Sequence, residues 1–210
     1  MKIKICGISN LDDALAVSRA GADYVGMIFA PKSPRAVSPQ DALAIARARG
    51  SGEISASLVG VFQNAPAGEI LRCAKEFSLS AVQLHGGESE DFVREISGRG
   101  FEIWKAFWLE SLADVEAALA SRADRILADA RSGGKLGGTG KTANWALARR
   151  VSERRSVVLA GGISPGNARR AASRVEPFAL DLNSSVEISP RKKDAEKISK
   201  FLEKIKNGNI

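Results

Sequence analysis

Short runs of Val, Ile, Leu and Phe recur about every 25 residues along the chain, and the stretches between them carry apolar residues at helical spacing. That alternation predicts parallel strands joined by crossover helices. Strands are expected near residues 2 to 7, 24 to 29, 57 to 62, 81 to 85, 102 to 107, 125 to 130, 157 to 161 and 178 to 183. Helix starts are legible as side-chain caps at Asn10 with Asp13, at Ser38-Pro39 with Asp41, and at Ser164-Pro165, the latter two with proline at the first helical position. Eight βα units point to an α/β fold closed as a (β/α)8 TIM barrel with its active site at the C-terminal strand ends. The 210 residues fall short of the roughly 250 usual for that fold. An open doubly wound sheet is the alternative. Closure is favoured because the count is eight and no strand reads as a polar edge.

Composition narrows the class. With 44% hydrophobic and 26% charged residues and no shift along the chain, residues 1–210 are expected to form one globular domain. No apolar run approaches the roughly 18 residues of a membrane helix. Lys2 and Lys4 alternate with isoleucines, which is not the pattern of a signal peptide. Two cysteines without a Cys-x-x-Cys pair suggest free thiols and a cytoplasmic location. The net charge of +7 raises the question of an anionic partner. Much of the excess lies in Arg191, Lys192, Lys193, Lys197, Lys200, Lys204 and Lys206, around an apolar stripe of Ile198, Phe201, Leu202 and Ile205. This reads as the solvated face of an amphipathic terminal helix, and no nucleic-acid-binding signature accompanies it.

In a (β/α)8 barrel the chemistry sits at the carboxyl ends of the strands. The polar residues at those ends are Cys6, Gln83, His85, Asp129 and Asp181, with Arg35 in the loop after the second strand. Cys73 shares a helical face with Ile70, Ala74 and Phe77 and is expected in the core. Cys6 stands beside Gly7, where amides of the following turn would favour a thiolate. Asp129 closes an apolar strand and reads either as a functional carboxylate or as a helix cap or partner of Arg131. Around a closed ring, strands one and six are three steps apart, so Cys6 and Asp129 would face each other across the mouth. Two titratable groups so placed suit proton transfer at two atoms of one substrate. His85 is the only histidine, which rules out multi-histidine metal sites. It reads equally as a pocket group or as one that orients a neighbour.

Gly137-Gly138-Thr139-Gly140-Lys141-Thr142 approaches a P-loop but fails by one residue, because the first glycine of that motif would have to be Lys135. A Gly-x-Gly-x-x-Ala pattern also occurs but lacks the strand context of a dinucleotide site. The loop reads better as a cover whose amides, at Gly138 and Gly140, can approach a phosphate. Gly161-Gly162 and Asn183-Ser184-Ser185 follow strands seven and eight, where many barrels bind phosphate through amides. Two prolines stiffen Pro31-Lys32-Ser33-Pro34-Arg35, so the Arg35 guanidinium is placed to clamp a carboxylate.

Taken in order, Lys4-Ile5-Cys6-Gly7-Ile8, Gly21-Ala22-Asp23 with Gly26, Pro31-Lys32-Ser33-Pro34-Arg35, Val59-Gly60-Val61-Phe62 and Val82-Gln83-Leu84-His85-Gly86 resemble the phosphoribosylanthranilate isomerase family of tryptophan biosynthesis. Gly137-Gly138-Thr139-Gly140-Lys141, Ala160-Gly161-Gly162-Ile163 and Asp181-Leu182-Asn183-Ser184 carry the resemblance on to the end of the barrel. The resemblance implies a (β/α)8 barrel that isomerises N-(5-phosphoribosyl)anthranilate by an Amadori rearrangement. It casts Asp129 as acid, Cys6 as base, and Arg35 as the holder of the anthranilate carboxylate. Gln83, His85 and Asp181 would border the substrate, and the loops after strands six to eight would hold the phosphate. It implies no cofactor, no metal, no nucleic acid or membrane partner, and a monomer or homodimer. Two departures stand out. Ser185 replaces a glycine usual in the family and would be strained if that backbone needs a positive φ. Asn144 replaces a usual aspartate, and either residue can cap a helix. The competing readings are another phosphosugar barrel enzyme and a noncatalytic phosphate-binding barrel. The catalytic lysine and glutamates, or the metal-binding histidines, of the enzymatic rivals are not visible.

Overall fold

The computed structural model describes residues 1–130 and 143–206, without the side chain of Lys206. In chain order its elements begin β1 (Lys2–Ile5), α1 (Leu11–Ala20), β2 (Tyr24–Ile28), α2 (Pro39–Gly50), β3 (Ser57–Phe62), α3 (Ala67–Glu76), β4 (Ala81–Leu84) and α4 (Glu90–Ile96). They continue with β5 (Glu102–Trp108), α5 (Leu112–Ala120), β6 (Arg125–Asp129), α6 (Trp145–Ser152), β7 (Val157–Leu159), α7 (Ala168–Val175) and β8 (Ala179–Leu182). A 3-10 turn (Ser184–Val186), a small antiparallel pair β9 (Glu187–Ser189) and β10 (Lys192–Lys193), and α8 (Ala195–Lys206) complete them. Strands β1 to β8 are parallel and close in order, β8 pairing with β1, so the closed barrel is the observed solution and the open sheet is not.

Local chemistry explains most element boundaries. Asn10 caps α1 by accepting from the Asp13 amide at 2.8 Å, and Gly21 ends that helix at φ 96°. Ser38 caps α2 through the Asp41 amide, with Pro39 as its first residue. The third expected start needs correcting. Residues 164–167 form a turn in which the Ser164 carbonyl accepts from Asn167 and Ala168, and the regular helix begins at Ala168. The Ser164 side chain makes no cap. Cys73 is buried in the core with Ile70, Ala74 and Phe77.

Alternation along the strands divides the apolar residues into two bodies. On β6, Ile126 and Ala128 pack outward under the helices, whereas Leu127 points into the barrel; on β8, Leu180 and Leu182 face outward and Ala179 inward. The interior body, around Val59, Trp104, Leu127 and Val158, fills the amino-terminal half of the barrel. Tyr24 meets Trp104 edge-on at 5.0 Å between ring centroids, and the Arg125 guanidinium lies 3.6 Å over the Phe178 ring while its Nη2 bonds Glu102 at 2.7 Å. That end is plugged.

Candidate active site

The same parity carries the polar candidates. Cys6 and Lys4 on the β1 path, Gln83 and His85 beyond Ala81, Asp129 beyond Leu127, and Asp181 beyond Ala179 all fall on the inner face at the carboxyl end. All but Lys4, which is fully buried beneath them, open onto a cavity of about 570 Å³, within the usual range for a small-molecule site. Cys6, Arg35, Gln83, His85, Asp129 and Asp181 all line it. Gly161 and Gly162 after β7, and Asn183, Ser184 and Ser185 after β8, form another part of the wall. Gly138, Gly140 and Arg131 lie outside the described residues.

Asp129 is held from two sides. Its Oδ1 accepts from the Ala130 amide at 2.7 Å, and its Oδ2 lies 3.1 Å from Nε2 of His85. Nδ1 of His85 stands 2.9 Å from Nε2 of Gln83. With the Gln83 amide donating to Nδ1, the imidazole carries its proton on Nε2 and donates to Asp129. His85 therefore makes an orienting contact with Asp129. Among the described residues the one amide that Asp129 satisfies belongs to the strand end rather than to a helix.

Cys6 departs from its sequence reading. It is 5% exposed, and burial pushes its thiol up, although Lys4 and then Lys193 pull the other way. Turn amides do not leave it an easily ionised thiolate, because desolvation of the charged form outweighs the nearby cations. Beneath it, Nζ of Lys4 binds Oδ2 of Asp181 at 2.7 Å, the two side chains being 0% and 7% exposed. Oδ1 of Asp181 and Oε1 of Gln83 are buried acceptors without a hydrogen-bond partner among the described residues.

Arg35 reaches the cavity but is already engaged. Its Nε and Nη2 bind Glu187 at 2.9 and 2.7 Å, and Nζ of Lys193 holds the same carboxylate at 2.8 Å. Burial would raise the Glu187 carboxyl, yet the hydrogen bonds from Arg35 and Lys193 hold it below its ordinary value. Lys193 corrects the reading of the terminal basic residues: its side chain is 1% exposed, on β10 before α8 begins. Lys197, Lys200 and Lys204 are exposed as expected, and Ile198, Phe201 and Leu202 form the buried stripe. Sequence reasoning assigned no role to Glu187 or Lys4, nor to the apolar wall of Ile28, Val61 and Phe62. A buried register partner, as Lys4 is to Asp181, was the signal that could have found one of them.

The loops after β7 and β8 are braced. Gly161 and Gly162 have φ of 72° and 66°, and a Cβ on Gly161 would stand 2.8 Å from Oδ1 of Asp129, so both the turn and the close approach require glycine. Asn167 accepts from the Ser164 amide at 2.9 Å and donates to the Gly162 carbonyl at 2.8 Å. Ser185 lies in the 3-10 turn and is not among the residues with positive φ, so the feared strain is absent. Its hydroxyl donates instead to the Ile163 carbonyl at 2.7 Å, tying one loop to the other. Asn144 caps α6 through the Leu147 amide, as expected.

A closed parallel barrel with a cysteine, a histidine-bound aspartate and an anchored arginine around one cavity at its carboxyl end is the build of a (β/α)8 barrel enzyme. Residues 3–204 match the family described as N-(5'phosphoribosyl)anthranilate (PRA) isomerase, and the chain belongs to that family. It is 43% identical over 209 residues to the N-(5'-phosphoribosyl)anthranilate isomerase of Thermotoga maritima, covering 98% of each chain. A solved structure described as mutually generated monomers of the dimeric Thermotoga maritima enzyme superposes with a TM-score of 0.85 at 42% identity, covering 99% of each chain. A phosphoribosyl anthranilate isomerase solved with reduced 1-(o-carboxyphenylamino)-1-deoxyribulose 5-phosphate superposes at 0.84, with 39% identity and 99% of each chain covered.

Proposed function

We infer that this chain isomerises N-(5-phosphoribosyl)anthranilate to 1-(2-carboxyphenylamino)-1-deoxyribulose 5-phosphate, a step of tryptophan biosynthesis. The observation that carries the reading is the convergence of Cys6 and Asp129 on one cavity from strands three steps apart in the ring. Asp129 is the acid. It gives its proton to the furanose ring oxygen as the bond from that oxygen to C1 breaks, and the nitrogen lone pair forms the iminium. Cys6, as thiolate, then takes the proton from C2, and the C–H electron pair becomes the C1–C2 double bond while the iminium pair returns to nitrogen. The enolamine loses its hydroxyl proton and gains one at C1 to give the ketone. Solvent exchange resets both groups, and the ring oxygen ends as a hydroxyl.

The remaining residues fit the substrate's parts. Ile28, Val61 and Phe62 offer an apolar wall for an aromatic ring, and Arg35 beside them offers a cation for its carboxylate. The unpartnered acceptors of Asp181 and Gln83 suit sugar hydroxyls, which would satisfy them on binding. His85 orients Asp129. The amides around Gly161, Gly162, Asn183, Ser184 and Ser185, with those of Gly138 and Gly140, are assigned to the phosphate. Residues 1–210 are taken as one catalytic domain acting on a small molecule in the cytoplasm, as monomer or homodimer, without nucleic acid or membrane. No helix among the described residues is long and apolar enough to cross a bilayer. The test is to mix purified protein with freshly made phosphoribosylanthranilate and follow the loss of substrate fluorescence. Decay no faster than the spontaneous rate overturns the reading.

A further inference from the structure

We propose that Lys4 is a positioning residue of this centre: a buried ammonium, anchored by Asp181 on the inner wall of the barrel, that stabilises Cys6 as a thiolate and so prepares it as a base. The proposal deepens the reading of Cys6 given above and rests on it.

Lys4 and Cys6 are two residues apart, so their side chains stand one above the other on the same face. Gly26 on the neighbouring strand shows how close they come. A Cβ there would lie 2.9 Å from Sγ of Cys6 and 3.1 Å from Cε of Lys4, so the thiol and the lysine stem border the same small space. On the other side, Lys4 and Asp181 are register partners across the β1–β8 seam, joined at 2.7 Å. An ammonium removed from water is costly unless paired. Burial here acts to discharge Lys4, yet Asp181 and Cys6 together hold its pKa above the ordinary value, so it stays charged at 0% exposure.

Among the described residues, the charged groups facing Cys6 are Lys4 from β1, Asp181 from β8, Lys193 from β10 and Arg35 from the loop after β2. Burial and Asp181 favour the neutral thiol, whereas Lys4 is the strongest of the influences favouring the thiolate, ahead of Lys193. Arg35 and Lys193 already share Glu187. Lys4, though paired with Asp181, is the one of these cations on the strand that carries Cys6, two residues from it on the same face.

The test measures Cys6 itself, in a Cys73→Ala background, through the pH dependence of its alkylation by iodoacetamide. In Lys4→Met the alkylation rate at pH 7 should fall about tenfold or more. The pH–rate profile for isomerisation should change with it, the ionisation contributed by Cys6 moving to higher pH, and Lys4→Arg should restore much of both. If Lys4→Met does not fold, Lys4→Met/Asp181→Leu removes the whole pair and leaves no lone buried charge. Its alkylation should still slow, though less, because Lys4 acts on Cys6 more strongly than Asp181 does. An unchanged alkylation profile in folded Lys4→Met or in the double variant overturns the proposal, even if thermal stability falls. Alkylation that slows while the pH–rate profile stays fixed supports the effect of Lys4 on the thiol and overturns Cys6 as the base.

Discussion

The two halves of the barrel interior are lined by the same strands and obey the same alternation, yet one is plugged and the other reactive. Toward the amino-terminal end, Trp104, Leu127 and Val158 interdigitate and the Arg125–Glu102 pair lies against Phe178 and the Tyr24–Trp104 contact. Two positions beyond Ala81, Leu127 and Ala179, the same face carries Gln83, Asp129 and Asp181, and β1 carries Lys4 there. The difference shows that fold geometry decides which positions point inward, and side-chain identity alone decides whether they form a core or a site. Stability should therefore reside below and chemistry above.

Substitutions in the upper layer should separate activity from stability most sharply. Asp129→Asn keeps the shape and can still accept from the Ala130 amide, but it sets an NH2 against the His85 Nε2–H and cannot supply a proton; Cys6→Ala removes the base. Each should lower kcat by roughly a hundred- to ten-thousandfold with little change in melting temperature. Asp129→Asn should also lose the alkaline limb of the pH–rate profile and Cys6→Ala the acidic one. Because burial raises the Cys6 thiol, the ionisation that Cys6 contributes to the profile should lie above the position expected of an ordinary cysteine. Near wild-type turnover in either variant would sink the assignment.

The lower layer should give the inverse result. Trp104 is fully buried, so Trp104→Ala should cost about 3–5 kcal/mol of stability by denaturant titration, while the folded fraction keeps its turnover. A turnover loss matching that of Asp129→Asn would break the comparison.

Much of this division was legible in the sequence. All eight apolar runs became strands, because a parallel sheet buried on both faces leaves little room for polar residues except at its ends. Position at the carboxyl ends of those strands then singled out Cys6, Gln83, His85, Asp129 and Asp181, all of which line the cavity. What stayed hidden depended on contacts between distant segments. Lys193 sits among six other basic residues and looked solvated, but β9 and β10 fold it under the barrel mouth onto Glu187. The Ser185 hydroxyl found an acceptor 22 residues away, where sequence offered only the absence of a glycine. Ser164-Pro165 mimicked a cap because the preference is local, while the turn at 164–167 is held by Asn167.

Arg35 tests the border between binding and chemistry. Its assigned ligand is bound alike in ground and transition states, so Arg35→Ala should raise KM roughly ten- to a hundredfold with kcat little changed. A large fall in kcat at constant KM would move Arg35 into the chemical step.

The smallest effect belongs to the plug. The Arg125 hydrogen bond is the main cause holding the Glu102 carboxyl below its ordinary value. Its contribution is therefore present above the unfolded pKa and is lost as pH falls through the folded one. Glu102 is partly exposed, so Glu102→Gln should cost under about 1 kcal/mol at neutral pH. Melting curves of variant and wild type should converge in acid. A gap that persists there would show that the pair contributes through packing alone.

Closure of β1 on β8 also sets when the centre can exist. Lys4 and Asp181 are 177 residues apart, and at synthesis rates of about 5–20 residues per second the partner of Lys4 is made roughly 9 to 35 seconds later. Until then the nascent chain carries an unpaired β1 edge and a lysine with no counter-ion. The reactive end therefore cannot be assembled before β8 is made, however early the other strands pair.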